Sequence, residues 1–223
     1  MTTAVIGGTG RVGSEIVRGV LARGDAVAAL VRDPGKARRV FGEPGGLHIR
    51  PTRLDDPRDL AEALDGIRTV FIAMGSVGIE NVLQRIAINA AAGISSIEQV
   101  TRLSVLNTSA DSLGINQRAH YSIDQFAAST AVPYSTIRPA IFSASLLAAA
   151  PEVRASRTWT GLAGHGRMAL IGIPAGTAEL LITREWAILA GENDYTTGTF
   201  AQITGRPPRP VAGFLHDHRE EFA

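Results

Sequence analysis

The residues whose type and spacing suit chemistry begin near the start of the chain. Gly7-Gly8-Thr9-Gly10-Arg11-Val12-Gly13 follows the apolar run Thr3-Ala4-Val5-Ile6 and opens a helical pattern. A second apolar run, Ala26 to Val31, closes in Arg32-Asp33-Pro34. In such a unit each glycine has a mechanical task. Gly7 permits the tight turn off the strand, Gly10 lets backbone N–H groups approach a pyrophosphate, and Gly13 lets the helix pack close to the strand. The helix start adds unpaired N–H groups and the positive end of its dipole. The chemistry indicated is dinucleotide binding. Arg32 stands where NAD sites carry an acidic residue for the ribose 2′-OH, and an arginine there accommodates a 2′-phosphate. Arg11 is a second candidate for that phosphate or for the pyrophosphate. Asp33 leaves a ribose contact open. The reading favours NADP(H) over NAD(H).

Further along, His120 lies one helical turn before Asp124, a spacing that lets a carboxylate orient an imidazole for proton transfer. The alternative is a structural histidine bonded to a loop carbonyl.

These residues need a scaffold, and the chain alternates strand and helix patterns. Asp59 to Leu64 reads as a short helix, Thr69 to Ala73 as a strand, and Val82 to Ala92 as a helix closed by Gly93. Ile97 to Thr101 is a buried-strand candidate ending near Leu103-Ser104, Asn116 to Thr130 a helix, Tyr134 to Ile137 a strand and Ile141 to Ala149 a helix. Repeated units of this kind predict an α/β, Rossmann-type doubly wound parallel sheet. After Pro151 the texture changes. Arg154 to Gly166 reads as a loop, Met168 to Ile173 as a strand, Thr177 to Ala190 as a helix, Phe200 to Thr204 as a strand, and a terminal helix from Val211. The expected organisation is a nucleotide-binding domain over 1–150 and a small C-terminal substrate lobe over 151–223.

Composition excludes several classes. The 223 residues are 45% hydrophobic and carry 22 basic and 21 acidic side chains, for a net charge of +1. Balanced charge argues against a nucleic-acid surface. An aromatic fraction of 5% argues against base-stacking platforms. The absence of cysteine removes disulfides, thiolate catalysis and cysteine-based zinc sites. His216 and His218 lack further ligands in sequence, so no metal is expected. No apolar run approaches a membrane span, and no leader is expected before the first strand. A cytoplasmic protein is expected. Lys36 is the one lysine, so none is available for a Schiff base or for the Tyr-x-x-x-Lys pair of ordinary short-chain dehydrogenases.

Taken in order, the glycine turn, Val31-Arg32-Asp33-Pro34, Leu54-Asp55-Asp56-Pro57, Thr101-Arg102-Leu103-Ser104, His120-x-x-x-Asp124 and Thr136-Ile137-Arg138-Pro139 resemble the NmrA-like group of atypical short-chain dehydrogenases/reductases. The resemblance covers most of the chain and is clearest up to Pro139. It implies that Gly7, Thr9, Gly10, Arg11, Val12 and Gly13 hold the pyrophosphate and Arg32 the 2′-phosphate. It places Asp55 near adenine, Ala73, Met74 and Gly75 along the ribose, and Leu103 beside the nicotinamide. Ser104 falls where ordinary members keep a catalytic serine. Tyr121 has the tyrosine position of the dyad, but Gln125 replaces its lysine. Glutamine cannot lower a tyrosine pKa, so His120 is preferred over Tyr121 as proton donor. Two departures qualify an inherited substrate: the chain is short for the group, and Gly176-Thr177-Ala178 replaces the expected Asp-Ile-Ala turn.

The group includes NAD(P)H-dependent quinone and azo reductases, polyketide-tailoring reductases and a non-catalytic redox sensor. The expected activity is therefore NAD(P)H-dependent reduction of a quinone or conjugated aromatic, without flavin. A partner enzyme that uses the reduced product in an O2-dependent hydroxylation fits the same reading. The alternative is an NAD(P)-binding sensor or partner-binding protein without turnover. A redox-neutral dehydratase or epimerase is disfavoured by the missing tyrosine–lysine pair.

Overall fold

The structure is a computed structural model that describes residues 2–140, 142–157, 175–192 and 195–223. It divides into two compact units, Met1–Arg138 and Pro139–Ala223. The division thus falls after Arg138 rather than at 150.

The first unit is one parallel sheet. Its strands are β1 (Thr3–Ile6), β2 (Val27–Val31), β3 (Leu47–Pro51), β4 (Thr69–Ile72), β5 (Gln99–Leu103) and β6 (Tyr134–Ile137), in the order β3-β2-β1-β4-β5-β6. All five pairings are parallel. The helices between them are α1 (Arg11–Ala22), α2 (Pro34–Phe41), α3 (Pro57–Ala63), α4 (Ile79–Ala92) and α5 (Ile115–Ala128). The strand order reverses at β1, between β2 and β4, and that switch point is where such sheets bind ligands. The expected doubly wound sheet is therefore the fold of this unit. Strand β2 explains the burial: Val27-Ala28-Ala29-Leu30-Val31 is apolar throughout and every residue is buried, as a central parallel strand requires.

Helix α1 packs through Gly13, Val17 and Val20, spaced to lie on one face. The glycine turn above it is sterically determined. Gly7 has φ +80°, and a Cβ there would lie 2.2 Å from the Ala73 carbonyl oxygen. The neighbouring Ala73 N–H donates to the Ile6 carbonyl at 2.9 Å, which pins that backbone. A Cβ on Gly13 would lie 2.2 Å from the Gly7 carbonyl oxygen. Gly7→Ala therefore combines a left-handed φ with a backbone clash, together about 2–5 kcal/mol. A fall in Tm on the order of 10 °C is expected by thermal denaturation.

In this unit two elements had no counterpart in the sequence reading, α2 and β3. Pro34 at the first turn and the Asp33 side chain, which accepts from the Lys36 N–H at 2.9 Å, start α2. Elsewhere the boundaries move: β5 runs over Gln99–Leu103 instead of starting at Ile97, and Gly93 closes α4 with φ −81°.

In the second unit a 3₁₀ helix (Ser143–Ala149) continues into α6 (Ala150–Ser156), followed by α7 (Ala175–Leu189), α8 (Thr199–Thr204), α9 (Val211–Asp217) and α10 (Arg219–Phe222). Over Ser143–Ala149 the predicted helix is thus 3₁₀; the predicted loop from Arg154 begins inside α6, and its residues 158–166 lie outside the described residues. The predicted strand Phe200 to Thr204 is helical, a correction: Gly205 with φ +69° ends the segment as a helix does, through Gly205 N–H to the Ala201 carbonyl at 2.9 Å. The predicted strand Met168 to Ile173 lies outside the described residues. Among the described residues, no helix is long and apolar enough to cross a membrane.

Candidate functional site

The glycine turn, the end of β2 and the ends of β4 and β5 all lie at the carboxyl edge of the sheet. Gly10 caps α1 with no side chain on the free N–H groups, and the first turn of α1 holds no acidic residue. That end is open to an anion. Thr9 and Val12 are half-buried; Gly10 and Arg11 are exposed.

Beside it opens a cleft of about 550 Å³ lined by Arg32, Pro51, Thr52, Arg53, Leu54, Asp55, Asp59, Ile79 and Leu83. Arg32 and Asp55, expected at the adenosine end, line this same cleft. The two arginines differ. Arg53 is committed: its Nη2 donates to Asp56 Oδ2 at 2.6 Å and its backbone N–H to Asp59 Oδ2 at 2.6 Å. Arg32 is exposed and makes no side-chain hydrogen bond or ion pair among the described residues. Asp33 is engaged as the cap of α2. So the free charge at the end of β2 is positive. The sequence reading missed Arg53, Thr52, Ile79 and Leu83: Thr52 and Arg53 directly follow β3, which was not located, and Ile79 and Leu83 reach the cleft from α4. This arrangement fits a dinucleotide: a glycine cradle without Cβ obstruction, an uncapped helix start, and a cleft with an unpaired arginine.

Ala73 and Met74, half-buried, and Gly75, exposed, follow β4. The Gly75 carbonyl accepts from Gln84 Nε2, and Ser76 Oγ donates to Asn116 Oδ1 at 2.7 Å. Gln84 leads into the most unusual feature of the unit, Arg102. This arginine is fully buried on β5, on the same face as Val100. Nε donates to the Tyr134 hydroxyl at 2.7 Å. Nη1 donates to Gln84 Oε1 at 3.3 Å and contacts His120 Nδ1 at 2.7 Å. Nη2 donates to Ser104 Oγ at 3.1 Å, to the His120 carbonyl at 3.2 Å, and to Asp124 Oδ1 as an ion pair. Asp124 is completed by Tyr134 Oη at 3.0 Å, Ser104 Oγ at 3.3 Å and Arg138 Nη2 at 3.1 Å. Every charge is paired and bonded, as burial demands.

The structure thus brings Ser104, His120 and Asp124 together, but around Arg102. The expectation that Asp124 orients the His120 ring is corrected: that carboxylate is spent on Arg102, Tyr134, Ser104 and Arg138, and Arg102 holds the ring. Leu103 is half-buried beside Ser104. Tyr121 is half-buried on α5, and its phenol makes no hydrogen bond among the described residues. Arg102 was quoted in the motif without a role. The legible signal was a charge in phase with buried Val100 on an alternating strand.

Electrostatics follow from burial. His120 is pushed down to about 3 by desolvation and then by the Arg102 charge, with Asp124 opposing. Tyr134 is pushed up to about 12, first by burial. His120 therefore stays neutral near neutral pH. Its folded pKa lies below the unfolded value of 6.5, so below pH 6.5 the unfolded chain binds a proton the folded chain refuses. Stability is lost as pH falls from 6.5 toward 3, by up to about 1.4 kcal/mol per pH unit. Urea unfolding at pH 7 and pH 5 is expected to show this loss, and a smaller one in His120→Gln.

The chain belongs to the family described as NAD(P)H-binding, which matches residues 7–157. It is 27% identical over 169 residues to quinone oxidoreductase 2 of Escherichia coli strain K12, covering 74% of this chain and 58% of that protein. It is 29% identical over 174 residues to the NAD(P)H azoreductase of Xenophilus azovorans, covering 75% and 57%. The chain thus matches under two thirds of the length of these relatives. Among solved structures it superposes on the E. coli NADPH-dependent quinone oxidoreductase complexed with NADPH, with TM-score 0.83, 19% identity and coverage of 97% and 99%. The Citrobacter triphenylmethane reductase complexed with NADP(H) gives TM-score 0.77 at 17% identity, covering 96% and 99%. These superpositions show the Rossmann-type fold.

Proposed function

We propose that this chain is an NADPH-dependent reductase that delivers a hydride to a quinone or similarly conjugated aromatic acceptor. The observation that carries the reading is a dinucleotide cradle that leads to a site without a strong acid. Ser104 has its hydroxyl proton on Asp124. His120 is neutral. Tyr121 faces Gln125 across one helical turn where the dyad has lysine. An isolated ketone needs a good acid for its developing alkoxide. A quinone yields a delocalised, weakly basic hydroquinone anion, which water can protonate. The names of the relatives, a quinone oxidoreductase and an azoreductase, support a conjugated acceptor.

In this reading Gly7, Thr9, Gly10, Val12 and Gly13 supply backbone to the pyrophosphate, with Arg11 at its edge. Arg32 meets the 2′-phosphate, and Asp55 lies by adenine. Ala73, Met74 and Gly75 border the ribose, and Leu103 and Ser104 border the nicotinamide. When bound, the reduced nicotinamide supplies the hydride. Aromatic polyketide quinones are acceptors of this class, in a cytoplasmic setting, and their hydroquinones can pass electrons to oxygen and so support a hydroxylation by a partner enzyme.

The test is steady-state NADPH oxidation with a panel of naphthoquinones, anthraquinones and azo dyes, in air with oxygen uptake followed and again without oxygen. Turnover on quinones supports the reading. New oxygenated product in air supports the hydroxylation role. The same missing lysine favours a second reading, a dinucleotide sensor. Tight binding that differs between NADPH and NADP⁺, with no turnover on any acceptor, selects it.

A further inference from the structure

The geometry around Arg102 fixes which nitrogen of His120 carries the proton. A guanidinium has donors only. With Arg102 Nη1 at 2.7 Å, Nδ1 must accept, so the hydrogen of the neutral ring sits on Nε2. Nε2 itself makes no hydrogen bond among the described residues. Among the described residues Gln117 Oε1 is the buried side-chain polar atom without a partner, so the unbonded Nε2 is not sealed from solvent there. The surrounding groups are all accounted for. Arg102 and Ser104 come from β5, Tyr134 and Arg138 from β6 and its end, Asp124 from α5 itself, and neutral Gln84 from α4. The two ionised side chains nearest the ring, Arg102 and Asp124, are paired with each other.

We propose that Arg102 is a positioning residue that locks His120 in its Nε2–H tautomer, so that the neutral imidazole presents a hydrogen-bond donor to the oxygen of the acceptor that receives charge. The proposal rests on the reductase reading for the acceptor, while the tautomer lock is independent of it. The histidine keeps its proton throughout. The hydride and its electron pair pass from the reduced nicotinamide to the quinone, and water supplies the proton that completes the hydroquinone. His120 stabilises the developing oxyanion without ionising. This differs from a histidine acid, whose contribution disappears as pH rises.

The test has two parts on the full chain. Histidine-selective ¹⁵N NMR between pH 5 and 9 reads the tautomer with no acceptor present. The expected result is one histidine with an unprotonated Nδ1 and a protonated Nε2, unchanged across the range. A ring protonated on Nδ1, or titrating near 6.5, overturns the lock. The second part is kcat/KM against pH on the best quinone. H120L is expected to lose roughly ten- to a hundredfold, with part of the loss rescued by H120Q, whose amide N–H falls near Nε2. Unchanged rates in H120L overturn the donor role. In R102Q the histidine is expected to titrate and the rate to acquire a pH dependence. A folded R102Q with the wild-type tautomer and flat profile overturns the role of Arg102. Where R102Q does not fold, wild-type NMR and the H120L–H120Q pair decide. Absence of quinone turnover in the wild type alongside the locked tautomer rejects the reductase reading and the donor role, and leaves the lock in place.

Discussion

Asp124→Asn is expected to destabilise the first unit by about 3–5 kcal/mol, the cost of leaving a buried charge without its partner. Arg102 is fully buried, and Asp124 is its one carboxylate partner among the described residues. The other groups around the guanidinium, the Tyr134, Ser104 and Gln84 oxygens and the His120 ring, are neutral and can solvate the charge but not balance it. Asparagine also turns an amide N–H₂ toward Ser104 or Arg138, both of which now donate to that carboxylate. A fall in Tm on the order of 10 °C follows. The comparison variant is Arg138→Ala. Its guanidinium binds the same carboxylate at 3.1 Å but its side chain is 48% exposed, so a loss of under about 1 kcal/mol is expected. The pair of variants thus sets the buried ion pair of Asp124 against its exposed one. Equal Tm shifts in the two variants would show that the Arg102 pair is not the buried anchor described here.

Arg32→Glu is expected to reverse the cofactor preference. A hydrogen bond to a charged group contributes about 1.5–3 kcal/mol, so losing it weakens NADPH by roughly ten- to a hundredfold. The introduced carboxylate then repels a 2′-phosphate and offers an acceptor to a ribose 2′-OH. Kd values for NADPH and NADH from titration check this: NADPH should weaken and NADH should hold or tighten. Because Arg32 makes no structural bond among the described residues, Tm should stay unchanged. Equal weakening of both cofactors would place Arg32 elsewhere than at the 2′-phosphate.

The fold was legible where one physical signal dominated. The glycine turn is dictated by backbone sterics at Gly7 and Gly13, and β2 by continuous apolar sequence. Strand β3 escaped because Leu47-His48-Ile49-Arg50-Pro51 sits at the sheet edge with His48 exposed and Pro51 at its end. Its alternation, Leu47 and Ile49 against His48 and Arg50, lasts only four residues before Pro51, and it has no apolar run. Phe200 to Thr204 was misread as a strand because Thr, Phe and Ile favour sheets locally, while Gly198 and Gly205 bound a short helix, Thr199–Thr204. The cofactor residues followed a spacing rule and so could be named. The Arg102 cluster could not, since it joins α4, β5, α5 and β6 across sequence separations that no local pattern encodes. His120 was found, but its partner was assigned by helical spacing to Asp124 when the sheet delivers Arg102.

The central claim is hydride transfer from NADPH to a quinone. The measurement that tests it most directly is anaerobic quinone reduction with NADPH and with NADPH deuterated at the transferring carbon. The account predicts one NADPH consumed per quinone reduced and a slower rate with deuterium. Tight NADPH binding with no consumption on any quinone would contradict it.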